Sequence, residues 1–245
     1  MTLDELAEAL FTGGHALEQD DLGVVAGNAT SGNGVELRVV GIVGGRPLGV
    51  DAAIRLSRIV LEHVAGGNGA PLLMLVDTQS QKMARRDELL GLNEYLAHLS
   101  KSLALASLEG VRTIGLLYGG AAAGAFIATA LSTERLVAVP GAEPSVMDLP
   151  SIARVTKLPL ERLKEMAGTT PIFAPGLDHL AATGAVAECW DADRSGYAAR
   201  LDALLSEGGE VADRRDELGA ERKGRLRAAE IARRVRGEAS GRARS

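Results

Sequence analysis

The chain reads as an α/β protein on a parallel sheet, with a helical C-terminal region. Short apolar, often β-branched runs bounded by glycine or polar residues alternate along it with segments of helical periodicity, the pattern of βαβ units. One of these runs, "PLLMLVDT" (residues 71–78), is continuously apolar rather than alternating, as a strand buried on both faces should be. No fixed-period repeat interrupts the order.

In chain order, Leu3, Leu6, Ala7, Leu10 and Phe11 give a short helical pattern, and "GNATSGNG" reads as a loop. "VELRVVGIV" (residues 35–43) predicts a strand, and residues 50–64 a helix with Ala53, Ile54, Leu56, Ile59, Val60 and His63 along one stripe. After the strand at 71–78, a long helix is expected over residues 84–108. "RTIGLLYGG" reads as strand and turn, "AAAGAFIATAL" as the helix that follows directly, and "RLVAVP" as a further strand. Interrupted helix continues to residue 205, and a charged helix is expected over residues 207–236.

Composition limits the function. The 245 residues are 46% hydrophobic and 3% aromatic, too few rings for the stacking platforms that bind single-stranded nucleic acid. One cysteine, Cys189, excludes an internal disulfide and a thiolate cluster. Beside Trp190 it reads as a small buried apolar residue. His15, His63, His98 and His179 are scattered without metal spacing, so no metal is expected. The N-terminus carries Asp4, Glu5 and Glu8 and no basic stretch, so the expected location is the cytoplasm. The net charge of −5 is uneven: residues 222–245 hold nine Arg and Lys against Glu230 and Glu238, an excess of +7 on an acidic remainder of −12. Residues 211–245 are expected to form a basic helical tail after a domain spanning residues 1–210, and that domain is expected to fold without it.

The uncharged run at residues 113–133 contains "LLYGGAAAGAFIATAL". Its 21 residues are long enough to cross a bilayer at about 1.5 Å per residue, but the double glycine and the excess of alanine make it too weakly apolar. It lacks the G-x-G-x-x-G spacing, the Lys-Ser/Thr of a P-loop and the serine of a nucleophile elbow. Backbone chemistry remains. A strand ending at Gly119-Gly120 and turning into a helix would leave N–H groups of Gly119, Gly120 and Ala121 to hold an oxygen that gains negative charge. Gly124 would let the helix pack closely. Tight packing of small residues in an α/β core is the equal alternative. Thr78, Gln79, Ser80 and Gln81, with Asp77, lie at or just past the end of a parallel strand, where α/β sheets place their sites; helix capping is the alternative for Thr78 and Ser80. Tyr118 is a candidate proton or hydrogen-bond donor, or a packed core residue.

"LVDTQSQKMARRDELLGLNEYLAHL", "LLYGGAAAGAFIATAL", "AVPGAEPSVMDLPSIARVTKLP" and "IFAPGLDHLAATGAVAECWD" together resemble the γ subunit of biotin-independent malonate decarboxylase, over residues 3–197. The resemblance implies a crotonase-like (ClpP/crotonase) spiral of ββα units, similar to one half of the carboxyltransferases of biotin enzymes. It implies a cytoplasmic complex that decarboxylates malonate carried as a thioester on an acyl carrier protein subunit with a coenzyme-A-like prosthetic group, so that no cofactor is bound covalently here. A homologous β subunit would complete the decarboxylating pair, and an acyl transferase α subunit would exchange acetyl for malonyl. Gln79 and Ser80 stand where related folds often place glycine. The alternatives are a standalone acyl-CoA hydratase or isomerase, and a partner that only shapes the β subunit's site.

Among the remaining charges, Arg85 and Arg86 are candidates for the phosphates of the prosthetic group, or solvated charges at a helix start. Asp148, Arg154 and Lys157 are candidates for a loop that closes the pocket, or plain surface charge.

Overall fold

Leu72–Val76 is buried at all five positions, as its unbroken apolar run predicts, and it forms the middle of the main sheet. The strands in chain order are β1 (His15–Gln19), β2 (Val24–Thr30), β3 (Glu36–Ile42), β4 (Leu72–Val76), β5 (Thr113–Leu117), β6 (Gly120–Ala122), β7 (Arg135–Ala138), β8 (Glu143–Ser145) and β9 (Glu188–Cys189). The main sheet runs β1-β2-β3-β4-β5-β7-β9, and β6 pairs with β8 alone. From β3 onward every pairing is parallel. The β1–β2 and β2–β3 pairings are antiparallel, so the sheet is mixed rather than parallel throughout. Part of the expected loop "GNATSGNG" is strand: Gly27 to Thr30 belong to β2. Gly27 lies so close to Ala16 of β1 that a Cβ would meet its carbonyl oxygen, which is why a loop-like composition sits inside a ladder.

The helices of the sheet-bearing unit are α1 (Leu3–Leu10), α2 (Val50–Ala65), α3 (Arg85–Leu89), α4 (Leu92–Leu108) and α5 (Ala123–Ala128). Thr2 opens α1 with a reciprocal capping box to Glu5. Its buried Leu6 and Leu10 join Leu73, Leu75, Ile114, Leu116, Trp190, Tyr197 and Leu201 in one core. The single helix expected over residues 84–108 is two. Gly91 stands between α3 and α4 with φ +79°, a left-handed conformation that suits glycine and ends a helical run.

The structure, a computed structural model, describes residues 1–169, 176–207 and 213–242. The chain groups into two units, Met1–Val146 with Glu188–Val211 and Met147–Ala187 with Ala212–Ser245. Residues 147–187 group with the C-terminal segment. The second unit holds α6 (Leu149–Thr156), α7 (Leu160–Thr169), α8 (Leu177–Ala182), α10 (Arg215–Glu221) and α11 (Ala228–Arg242); α9 (Tyr197–Ser206) belongs to the first. The charged tail is thus two helices, and residues 208–212 of the expected one lie outside the described residues, as does the "IFAP" part of the fourth motif. The Arg222 guanidinium donates to the carbonyls of Ala181, Val186 and Ala187 at 2.8, 2.7 and 2.7 Å, closing the C-terminal end of α8.

Cys189 is exposed, not buried. It lies on the edge strand β9, where Trp190 next to it takes the inward place at 4% exposure. The uncharged run at 113–133 forms β5, β6, α5 and a 3-10 turn, and among the described residues no helix is long and apolar enough to cross a membrane.

Candidate functional site

At the C-terminal ends of β3, β4 and β5 three chain segments meet: Gly44 to Gly49, Asp77 to Lys82, and Tyr118 to Gly124. The second runs beside the first through a series of hydrogen bonds. Gly45 N–H donates to the Asp77 carbonyl and to Asp77 Oδ2, both at 3.1 Å. Thr78 Oγ1 donates to Arg46 O at 2.5 Å, Leu48 N–H to Ser80 O at 2.9 Å and Lys82 N–H to Leu48 O at 2.8 Å. Gly44 and Gly45 both have positive φ, 70° and 63°, and that tight turn brings the first segment onto the second.

The third segment is tied to the second in turn. Thr78 N–H donates to Gly120 O at 2.7 Å, and Gly120 N–H donates to Asp77 Oδ1 at 3.0 Å. A Cβ on Gly119 would stand 2.1 Å from Asp77 Oδ1, so only glycine admits the carboxylate here. The expected direct passage from strand to helix is not found. Gly120 to Ala122 form β6, with Ala121 opposite Pro144 of β8, and α5 begins at Ala123, whose φ is 51°. For a residue with a Cβ that conformation is strained, and surrounding structure must hold it. The first open helical N–H groups therefore belong to Ala123 onward, and that of Gly124 donates to Gln81 Oε1 at 2.9 Å.

Of the residues singled out in the sequence, the structure brings Thr78, Gln81, Tyr118, Gly119, Gly120 and Gly124 together. Thr78 is fully buried and Gln79 exposed; Ser80 Oγ donates to Gln81 O at 3.0 Å. Among the described residues, the N–H groups of Gln79 and Gly119 have no acceptor. Tyr118 is 4% exposed; burial raises the pKa of its phenol, the nearby Asp77 carboxylate raises it further, and a hydrogen bond to the Gly44 backbone opposes both. Such a phenol stays protonated and neutral at any physiological pH.

Other candidates lie elsewhere. Arg86 forms a two-pronged pair with Asp51 at 2.7 and 3.1 Å. Asp148 caps α6 by accepting from Ser151 N–H at 2.7 Å. His63 bonds Ala70 O at 2.8 Å through Nε2, a structural role. Sequence reading missed the joining role of Asp77 and the Gly44–Gly45 turn, although the doubled glycine before "RPLG" was a visible turn signal.

A family model of the malonate decarboxylase gamma subunit matches residues 44–239. The chain belongs to that family. The match includes α10 and most of α11, so the likeness extends past residue 197 into the charged tail. Over 126 residues the chain is 32% identical to the malonyl-S-ACP:biotin-protein carboxyltransferase of Malonomonas rubra, which is 50% of this chain and 43% of that protein; the match spans less than half of that relative's length. A malonate decarboxylase hetero-tetramer from Pseudomonas, solved in complex with coenzyme A, contains a chain 26% identical to this one, with a TM-score of 0.82 over 96% of this chain and 98% of that one. Transcarboxylase 12S matches at 18% identity and a TM-score of 0.65, over 85% of this chain and 43% of its own, and shows the fold alone. The fold is the crotonase-like one of the carboxyltransferases.

Proposed function

We propose that this gamma-family chain, paired with a β subunit, decarboxylates a malonyl thioester borne by an acyl carrier protein. The C–C bond to the carboxylate breaks, carbon dioxide leaves, and the electron pair forms a thioester enolate. A proton added to its carbon gives the acetyl thioester. Charge gathers on the thioester oxygen, so the reaction needs preorganised N–H donors and a proton source rather than a nucleophile.

The observation that carries this reading is the turn from Tyr118 to Gly124, held open by Asp77 against the strip from Thr78 to Gln81. The open N–H of Gly119 is the leading oxyanion donor on this reading. Gly120 keeps the approach free of a side chain, Ala121 is buried opposite Pro144 behind it, and Thr78, Gln79, Ser80, Gln81, Tyr118 and Gly124 line it. No cofactor is bound covalently; the substrate brings its own coenzyme-A-like arm. The complex would be cytoplasmic, with an acyl transferase α subunit exchanging acetyl for malonyl. A standalone hydratase or isomerase is disfavoured, because Asp77, the carboxylate at the turn, is engaged by Gly45 and Gly120 and not poised as a base. A purely structural role beside the β subunit draws support from the same engagement of the Gly120 N–H.

The test is carbon dioxide release from malonyl-carrier protein by this chain alone and mixed with a β subunit. Activity only in the mixture is expected. Turnover of acyl-CoA by the chain alone would remove the complex from the reading.

A further inference from the structure

We infer that Asp87 is a positioning residue for the strip from Thr78 to Lys82, acting through the first residue of α2 and through Lys82. The inference rests on reading that strip as part of the site. Asp87 lies on α3 and is 1% exposed. Its Oδ1 accepts the N–H of Val50, the first residue of α2, at 2.8 Å. The residue at the N-cap, Gly49, has no side chain to cap the helix. A Cβ there would stand 2.7 Å from Asp87 Oδ1, so the glycine is what admits a carboxylate from another element.

The other oxygen, Oδ2, is buried and among the described residues has no hydrogen-bond partner. The ammonium of Lys82 stands 4.0 Å from it, and the Lys82 stem passes over Gly49. A buried carboxylate with one open oxygen is a costly arrangement for simple packing. Here it holds two points at once. Val50 lies two residues after Leu48, and Leu48 is hydrogen-bonded on both sides, to Ser80 O and from Lys82 N–H. Asp87 thus clamps the ends of the paired segments whose middle carries Gln79, Ser80 and Gln81. Slack at either end reaches Gln81, and through its Oε1 the N–H of Gly124. The adjoining Arg86–Asp51 pair joins the same two helices on the solvent side.

The test uses the full chain and four variants: Asp87→Ala, Asp87→Asn, Lys82→Met and the double Asp87→Asn/Lys82→Met. Hydrogen exchange of peptides covering Thr78 to Lys82 is read in the chain alone, and kcat and KM for malonyl-carrier protein are read with the β subunit. Asp87→Ala is expected to speed exchange in the strip at least about tenfold and to lower kcat by a similar factor, with KM within about twofold. Asp87→Asn keeps an acceptor for Val50 N–H and loses the charge facing Lys82. It and Lys82→Met should each lower kcat about threefold, and the double variant no further than either single one. Asp87→Ala that melts earlier but leaves strip exchange and kcat unchanged would overturn the proposal. So would a double variant whose losses multiply. Should Asp87→Ala not fold, the cycle of the other three decides. A wild-type complex without decarboxylase activity sinks the functional reading, while the exchange data still decide the positioning role.

Discussion

Asp77 Oδ1 and the N–H of Gly120 are joined by a 3.0 Å hydrogen bond across the ends of two neighbouring strands. The same carboxylate takes the Gly45 N–H with its other oxygen at 3.1 Å. One half-buried aspartate therefore spaces three strand-end segments, and the approach to the turn has the width that this spacing sets.

Gly119→Ala tests that joint. Its Cβ would stand 2.1 Å from Asp77 Oδ1, so the carboxylate must move and both N–H partners lose it. A loss of about 2–4 kcal/mol in unfolding free energy is expected from overpacking plus unpaired polar groups, read by urea denaturation. Asp77→Asn, which keeps one acceptor, should lose less.

Gly120→Val addresses turnover. A Cβ at Gly120 would lie 3.1 Å from Thr78 O, tight but without positive φ, so the chain should fold and still assemble with its β subunit. Decarboxylation should fall by well over about tenfold as the branched side chain enters the approach. Size-exclusion of the mixture and carbon dioxide release check the two halves separately; full turnover in an assembled complex would take Gly120 out of the site.

Gln81→Glu replaces the carboxamide oxygen that accepts from Gly124 N–H with a charged one. A second negative charge beside a developing enolate raises the barrier, and kcat should fall about tenfold or more while the fold holds. Single-turnover rates measure this directly, with Gln81→Leu as the uncharged control.

The Tyr118 phenol gives a pH signature. Burial raises its folded pKa above the ordinary value of 10.0, so the unfolded chain loses this proton first. The stabilisation is complete below pH 10 and is lost as pH rises from there toward the folded value. Tyr197 shifts in the same direction, also through burial. Urea midpoints should decline above about pH 10, and Tyr118→Phe should flatten part of that decline. An unchanged slope in the variant would assign the effect elsewhere.

Arg222→Ala removes three hydrogen bonds to the carbonyls after α8. A loss of about 1–3 kcal/mol is expected for the second unit, seen as faster limited proteolysis between residues 176 and 187. Unaltered cleavage would mean that the tail is not needed there, as reading the tail as a separate appendage supposes.

The parallel strands were legible because buried strands announce themselves locally: β3, β4 and β7 each contain an apolar run whose expected ends agree to within a residue or two, while β5 stops at Leu117, short of the expected Gly119-Gly120. Helix α2 was legible through its stripe, with Ala53, Leu56, Ile59 and Val60 buried. Ile54, expected on that stripe, is 43% exposed, because one residue on from Ala53 is a rotation of about 100° away from the face that Ala53, Leu56 and Val60 bury. β1 was not legible: its positions are exposed or half-buried, so it has no hydrophobic alternation to find. Helix α4 was extended too far because leucine and alanine continue past Gly91, and nothing local distinguishes a tolerated glycine from one at φ +79°.

From residue order alone came the α/β alternation, the buried strands, the tail's excess charge and motifs specific enough to resemble the malonate decarboxylase family. These depend on period and composition, which are local. The folded chain settled the rest. β6 is three residues long and exists through its pairing with residues 143–145. Asp77 meets Gly120 across 43 positions, and Asp87 meets Val50 across 37. Such pairings carry no local period. They follow from where the sheet returns the chain, from glycines at 49 and 119 that leave room for a carboxylate, and from the left-handed turn that Gly44 and Gly45 allow.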